Sequence, residues 1–363
     1  MNKTVKKTLR KITKENEEAY IVGGFVRDYL LGIKSYDVDI CTSAENIKLA
    51  KIFQTGKVGE YNSFKMQIGP YNIDITTFRN DIKYKCGKLV LYETTNDLKT
   101  DLSRRDFTIN AICMDESGQI LDYFHGLDDL KKRKIRTIGD PLEKIQEDPS
   151  RILRAIRLCT TLNFTLDAAL KESITNNPTL ISFISNQKWK IEFDKILNSK
   201  NYQIGLKYFQ EFHINSHLAY EYHNMIYVDN LDGMYAQFTK IPNLPFTKQE
   251  RKNIIDIRQI VEHGIIDNEI LYKYGLEKCL IAAEILQINK NSVQKQYFKL
   301  PIYKDKDLKI TNKEIITILD GTPSDVISDL KNTMITQILN NKLKNNRKIL
   351  KKFVKESSVQ YET

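Results

Sequence analysis

Apolar and polar positions follow two rhythms along this chain. Up to about residue 140 the apolar residues come in short β-type runs: YIV at 20–22, YDVDIC at 36–41 and NIDITTF at 72–78. Between the first two, GGFVRDYLLG reads as a tight turn followed by a short helix. Ten of the 15 glycines lie in residues 1–140, so the front is turn-rich and predicts an α/β domain. Beyond that point the period changes. DPSRILRAIRLCTTL sets Ile152, Ala155, Ile156, Cys159 and Leu162 at helical spacing. Leu, Ile, Lys and Asn patterns with few glycines continue to the end, which predicts mostly helix over 140–363. Breaks are expected near 200 and 295, and YVDNLDG and NLPFTKQE read as loops.

The strand pattern makes one stretch unusual. In YDVDICTSA, Asp37 and Asp39 are two residues apart, so on a strand both point to the same face. Two carboxylates that close repel each other unless a cation lies between them. Twelve residues separate Asp37 from the pair Gly23–Gly24, which stands at a strand-to-helix turn. Glycines there leave backbone N–H groups open to a phosphate, and Arg27 can add a charged bond. A glycine pair is also simply a turn. Together the two features point to a metal–triphosphate site. The missing cation is Mg²⁺, which takes carboxylate and phosphate oxygens. Two such ions can hold the attacking and leaving oxygens of an in-line displacement. Asp74 alternates with Ile73 and Ile75, faces away from them, and is the natural third carboxylate; a surface strand residue is the other reading.

Charge adds a partner. Lys and Arg number 56 against 46 Asp and Glu, a net charge of +10, which raises the odds of a polyanion, mainly nucleic acid. Solubility alone is the bland alternative. The end of the chain, NNKLKNNRKILKKFVKESS, reads as a basic helix, suited to phosphate contact or simply solvated. The five cysteines, Cys41, Cys86, Cys113, Cys159 and Cys279, are scattered without a C-x-x-C pair, which argues against disulfides and a cysteine zinc site. The first 20 residues are basic but lack a signal-peptide apolar core, and Glu15, Glu17 and Glu18 argue against a mitochondrial presequence. No run is long enough to span a membrane. The expectation is a soluble, cytoplasmic protein; the sequence assigns no oligomeric state.

Two further stretches are dense in polar groups. DLSRRDFTINA groups Arg104, Arg105, Asp106 and Asn110, read either as a helix start with an Arg–Asp salt bridge or as contacts to triphosphate and ribose. In EDPSRILRAIRL, Asp148 and Arg151 are three apart and can share a helix face, as a plain ion pair or as a base reader. Cytosine and adenine both present an amine donor beside a ring-nitrogen acceptor. A carboxylate accepts from the first and a guanidinium donates to the second. Uracil and guanine would leave groups unpaired, at about 1–3 kcal/mol each.

These stretches, in this order, resemble the class II tRNA nucleotidyltransferases (CCA-adding enzymes) and the related bacterial poly(A) polymerases. The matching motifs are GGFVRDYLLG…YDVDI, DITTFR, RRDFTINA and DPLEKIQEDPSRILRAIRL, over residues 20–160. The resemblance implies an α+β fold: a nucleotidyltransferase head at 1–139, a helical neck at 140–200, a helical body at 201–295 and a basic helical tail at 296–363. It implies that Asp37 and Asp39 bind metal, with Asp74 a third catalytic carboxylate. Gly23, Gly24 and Arg27 would hold the triphosphate, Arg104, Arg105, Asp106 and Asn110 the ribose and phosphates. Asp148 and Arg151 would select the base, with Arg154 and Arg157 as further nucleotide contacts. The implied reaction adds CCA to the 3′ end of tRNA from CTP and ATP without a template, releasing pyrophosphate. The later helices would hold the tRNA acceptor arm. One departure concerns the segment NDIKYKCGKLVLYETTNDLKTDLS, which is near the family length but lacks its arginine-proline element. In the family this loop supports the switch from C to A addition, and near-full length favours complete CCA addition. The rivals are a poly(A) polymerase or an enzyme adding only CC or only A. A catalytically inactive RNA-binding protein is opposed by the intact Asp37 and Asp39. A transferase acting on a small molecule or protein is disfavoured by the basic tail.

Overall fold

The structure is a computed structural model that describes residues 3–85, 88–214, 218, 221–222, 224–319 and 324–358. Cys86 lies outside them. The chain forms two compact units. The first comprises residues 1–219 with 243–245, the second 220–242 with 246–363.

The first unit opens with helix α1 (Lys3–Thr13), followed by β1 (Ala19–Val22), α2 (Gly24–Leu30), β2 (Asp37–Thr42) and α3 (Asn46–Phe53). Next come β3 (Lys57–Val58), β4 (Ser63–Ile68) and β5 (Tyr71–Thr77). A hairpin, β6 (Arg79–Lys85) and β7 (Lys88–Thr94), leads to α4 (Leu98–Ser103) and the short strands β8 (Cys113–Met114) and β9 (Ile120–Leu121). Seven strands form one sheet in the order β3-β4-β5-β2-β1-β8-β9, in which only β2 and β5 run parallel. Alternation sorts the side chains. Val38, Ile40, Ile73 and Ile75 join Val5, Leu9 and Ile12 of α1 and Leu49 and Phe53 of α3 in one core. The opposite face carries a smaller cluster with Val22, Cys41, Phe78, Leu102 and Cys113. The aspartates therefore stand on the sheet face turned away from α1 and α3.

The segment expected as a variant loop, residues 80–103, instead contributes, among its described residues, the paired strands β6 and β7 and helix α4. Most hairpin side chains are exposed and none is buried, so no buried stripe marks it in the sequence. Asp97 caps α4 by accepting from Lys99 N and Thr100 N at 3.2 and 2.9 Å.

The chain then turns helical: α5 (Gly126–Lys132), α6 (Pro141–Glu147), α7 (Ser150–Leu162), α8 (Ala168–Asn176), α9 (Asn186–Leu197) and α10 (Tyr202–Glu211). A two-residue parallel pair joins β10 (Lys134–Ile135), just after α5, to β11 (Thr165–Leu166), just after α7. Asp140 caps α6, with Pro141 in the first turn where no N–H is needed. The apolar stripe of α7, including Ile152, Ile156 and Cys159, is fully buried and packs on α9 and α10, where Trp189, Phe193 and Phe209 are also buried.

The second unit contains a small antiparallel pair, β12 (Glu221–Tyr222) with β13 (Phe238–Lys240). Its helices are α11 (Leu231–Ala236), α12 (Lys248–His263), α13 (Asn268–Ile285), α14 (Lys290–Tyr297), α15 (Asn312–Ile318), α16 (Ser324–Leu339) and α17 (Arg347–Ser358). Here YVDNLDG is not a loop throughout. Asn230 accepts from Gly233 N at 2.8 Å and starts α11. Thr247 and Glu250 form a capping box that starts α12. Gly275, at φ 77° and ψ 168°, kinks α13. The basic C-terminal segment is helical over Arg347–Ser358. No helix among the described residues is long and apolar enough to cross a membrane.

Candidate active site

The register of β2 and β5 sets the carboxylates. Asp39 lies beside Asp74 and Asp37 beside Asn72. Asp37 is exposed, and its Oδ1 accepts from Asn72 Nδ2 at 2.9 Å. Asp39 reaches solvent, but the protein around it strips enough water to raise its pKa. Arg105 opposes that rise, Asp74 adds to it, Arg154 opposes it and Asp37 adds to it. Asp74 Oδ2 lies 3.4 Å from Lys65 Nζ. Its Oδ1 is buried without a hydrogen-bond partner.

Val22, the last residue of β1, pairs with Asp39. The next residue, Gly23, has φ 80° and ψ −147°, a conformation that side chains disfavour. A Cβ there would lie 3.0 Å from Asp39 Oδ2. The glycine thus brings open backbone directly against the carboxylate. Gly24 starts α2, and one turn on Arg27 is held by Asp28 Oδ1, from Nε at 2.9 Å and Nη2 at 2.7 Å.

Arg27 Nη1 also donates to Asn110 Oδ1 at 2.7 Å. Asn110 Nδ2 donates to Asp106 Oδ1 at 3.0 Å, and Asp106 Oδ2 pairs with Arg154 Nε at 2.6 Å. This chain of contacts runs from the glycine turn to α7. Burial pushes the Asp106 pKa up, but Arg154 and the bonds from Asn110 and Phe107 N outweigh it and hold it low. Arg104 and Arg105 form salt bridges to Asp101, at 2.8 and 3.2 Å, and Asp101 is completely buried. The Arg–Asp pairing expected near RRD is thus made with a residue upstream of it.

Asp148 and Arg151 do not form the plain ion pair considered above. The reason is that the helix is interrupted between them. α6 ends at Glu147, and Asp148 has extended backbone at φ −143° and ψ 98°, so the two residues do not share one helix. Asp148 Oδ1 instead accepts from Ser150 N and Oγ at 3.1 and 2.7 Å and from Lys188 Nζ at 3.1 Å. Arg151 turns back to Glu147, at 2.5 Å, and to the Lys144 carbonyl at 2.7 Å. Its guanidinium lies 5.6 Å from the centre of the Tyr84 ring. Arg157 pairs with Glu192 at 2.5 Å.

One cleft of about 680 Å³ gathers these groups: Gly23, Gly24 and Arg27, Asp37 and Asp39, Arg104, Arg105, Asp106 and Asn110, Asp148, Arg151, Arg154 and Arg157. Asp74 lies outside it, in an adjoining groove that shares Asp37, Asp39 and Arg79. Nine cationic side chains line the cleft against six carboxylates, a balance suited to a polyphosphate. Among the described residues no three acidic, His or Cys side chains converge as a ready-made metal cage. Two carboxylates plus substrate phosphates are what Mg²⁺ commonly takes, and the unsatisfied Asp74 oxygen lies beside them. The residues present fit such an ion.

Sequence reasoning missed several lining residues. Arg79, Asp81 and Tyr84 come from the hairpin, and Lys188, Glu192 and Lys195 from α9. Arg79 did stand in the DITTFR motif. No local pattern marks the α9 residues, which reach the cleft only because α9 packs on α7.

Comparison with known proteins agrees with this geometry. Residues 19–136 match the Poly A polymerase head domain, and residues 238–354 match the putative tRNA nucleotidyltransferase domain 2. The CCA-adding enzyme of Lactococcus lactis subsp. lactis (strain IL1403) is 31% identical over 94% of this chain and 94% of its own length. That of Ligilactobacillus salivarius (strain UCC118) is 31% identical over 94% and 93%. Among solved structures, the Bacillus stearothermophilus CCA-adding enzyme in complex with CTP superposes with a TM-score of 0.88 at 24% identity, covering 100% of this chain and 99% of that one. The Thermotoga maritima CCA-adding enzyme complexed with tRNA gives 0.66 at 20% identity, over 100% and 97%. A glycine turn pressed on a paired-aspartate strand, an Arg-rich cleft, and relatives 31% identical over 94% of the chain place it in one group: it belongs to the CCA-adding enzyme family of tRNA nucleotidyltransferases.

Proposed function

We propose that this protein adds C, C and A in turn to the 3′ end of tRNA, using CTP and ATP and releasing pyrophosphate. The observation that carries the reading is the convergence of the glycine turn, Asp37 and Asp39, and the start of α7 on one cationic cleft. Asp37 and Asp39 would hold Mg²⁺, with Asp74 as the third carboxylate. When bound, that ion supplies charge to polarise the attacking 3′-hydroxyl and to neutralise the triphosphate. The Gly23–Gly24 backbone and Arg27 orient the triphosphate, and Arg104, Arg105, Asp106 and Asn110 position the ribose and phosphates. The α-phosphate then faces the 3′ oxygen for in-line attack. Asp148 accepts from the exocyclic amine of cytosine or adenine, and Arg151 donates to the ring nitrogen in exchange for its contact with Glu147. Arg154 and Arg157 give further nucleotide contacts.

In this reading residues 1–139 are the catalytic head, 140–200 the neck, 201–295 the body and 296–363 a basic tail that holds the tRNA by phosphate contact. Binding then weakens with salt. The site of action is the cytoplasm. The ordered β6–β7 hairpin, with Tyr84 against Arg151, favours addition of A as well as C.

The test supplies tRNA lacking CCA, or ending in CC, with Mg²⁺ and single or mixed nucleotides. Addition of C, C, then A supports the reading; long A tails or a halt after CC overturn it. Unchanged activity in Asp37→Ala and Asp39→Ala would remove the metal assignment. Asp148→Ala and Arg151→Ala are expected to admit UTP or GTP.

A further inference from the structure

Helix α1 lies on the far side of the head sheet from the carboxylates, and it is sorted completely by charge. Val5, Leu9 and Ile12 are fully buried in the core. Lys3, Lys7, Arg10 and Lys11 are exposed on the outward side, Lys6 is half-buried beside them, Lys14 follows directly after the helix and is exposed, and the helix carries no acidic residue. None of the six forms an ion pair among the described residues. The nearby carboxylates gather at the C-terminal end of the helix and are partly engaged: Glu17 pairs with Lys48 at 2.6 Å, and Glu116 accepts from Thr13 Oγ1 at 2.8 Å.

We infer that this outer face of α1 is a second RNA-binding surface, which takes backbone phosphates rather than the reacting end. Five cations on one short helix, with Lys14 just beyond it and no carboxylate paired to any of them, repel each other, and a polyanion relieves that repulsion. From Lys3 to Lys14 the stripe runs about 16 Å at the helical rise. That is long enough to follow several phosphates. A lipid surface fits less well. Interfacial helices anchor by a free apolar face, and here that face is spent in the protein's own core. Charge alone is left for recognition, which suits sequence-independent phosphate contact. That the nucleic acid is RNA rests on the function proposed above; the location of the surface does not. Because α1 and the carboxylates flank opposite faces of the sheet, the stripe stands apart from the cleft.

The test replaces Lys3, Lys7, Arg10 and Lys14 by Gln, which keeps helix propensity and touches no core residue. The probe is a blunt 20-base-pair RNA duplex without a 3′ overhang, titrated by fluorescence anisotropy at several KCl concentrations. The log–log salt slope is expected to fall by about 2–3, and affinity at 0.1 M KCl to drop about tenfold or more. CTP incorporation into a short acceptor-stem RNA is expected to stay unchanged. Lysine footprinting of the unsubstituted protein supplies a measurement independent of any variant: Lys7 and Lys14 should be protected by the duplex. Equal slopes, no protection, or a loss confined to vesicles containing anionic lipid would overturn the inference. If the unsubstituted protein incorporates no nucleotide, the function reading fails, while duplex binding still decides this one.

Discussion

Replacing Gly23 by Ala separates two costs that the structure places at one residue. The first is backbone strain. At φ 80° and ψ −147° a side chain enters a region populated almost only by glycine, at about 1–3 kcal/mol. The first unit is in the size range where 1 kcal/mol moves the melting point by about 2–4 °C, so a fall of about 2–12 °C is expected. The second cost is local. The new Cβ would stand 3.0 Å from Asp39 Oδ2, and the carboxylate must turn away to make room. A displacement of about 1 Å at a reacting centre costs on the order of 10²-fold in rate. Gly139 supplies the control: its φ is also 80°, but a Cβ there meets nothing within 4 Å. Gly139→Ala should therefore lose stability while keeping its rate. The readouts are independent. Trp189 is the only tryptophan in the chain and is fully buried in the first unit, so its fluorescence follows the melting of that unit. Nucleotide incorporation is measured well below both melting points. A Gly23→Ala protein of unchanged rate, or a Gly139→Ala protein that loses as much activity, would refute the reasoning.

Three further outcomes follow from the same geometry. Asp101→Ala removes the buried partner of Arg104 and Arg105 and is expected to cost about 3–5 kcal/mol, read from urea unfolding followed at Trp189; a loss under 1 kcal/mol would contradict it. Burial acts to raise the Asp101 pKa, but Arg105 and Arg104 outweigh it and leave it lowered, and Asp106 is lowered likewise. A lowered folded-state pKa gives stability that is complete above the unfolded value near 3.9 and is lost as pH falls through the folded one. Melting of the first unit should thus hold steady from pH 7 to 5 and fall below about pH 4; a midpoint constant down to pH 2 would exclude this account. Asp74→Asn should lower incorporation at least tenfold, the scale for residues supporting a metal site, with recovery as Mg²⁺ is raised; unchanged kinetics would leave Asp74 as the partner of Lys65 only.

The strands and the mostly helical character of the later chain were legible because each rests on local pattern. YIV, YDVDIC and NIDITTF became β1, β2 and β5 through alternation, and GGFVRDYLLG became a turn and α2 through its glycines. The hairpin at 79–94 was not legible, since neither of its strands buries a continuous face. Helix α11 was hidden for another reason: Asn230 and Gly233 are turn residues by composition, and here they serve as a cap and a close-packed helical position. A Cβ on Gly233 would meet Ile281 at 2.5 Å. Tertiary packing, which no single stretch reveals, decided the second case.

The polar groups of the cleft show why motif reading finds membership of a site but not its wiring. Asp148 and Arg151 are three residues apart, and one helix would have paired them. Pro149 sits between two helices, so the backbone at Asp148 is extended and the expected pair dissolves. Arg151 then finds Glu147 and Asp148 finds Lys188, forty positions away. The consequence reaches the chemistry. If Arg151 reads the base as proposed, its guanidinium must exchange Glu147 for the base, so the strength of the Glu147 contact would oppose binding of every nucleotide. Asp148 meanwhile keeps Ser150 and Lys188 beside it, which orients its carboxylate before any base arrives. In the proposed reading, base choice would rest on one preset acceptor and one donor held in reserve, a distinction that residue spacing alone does not contain.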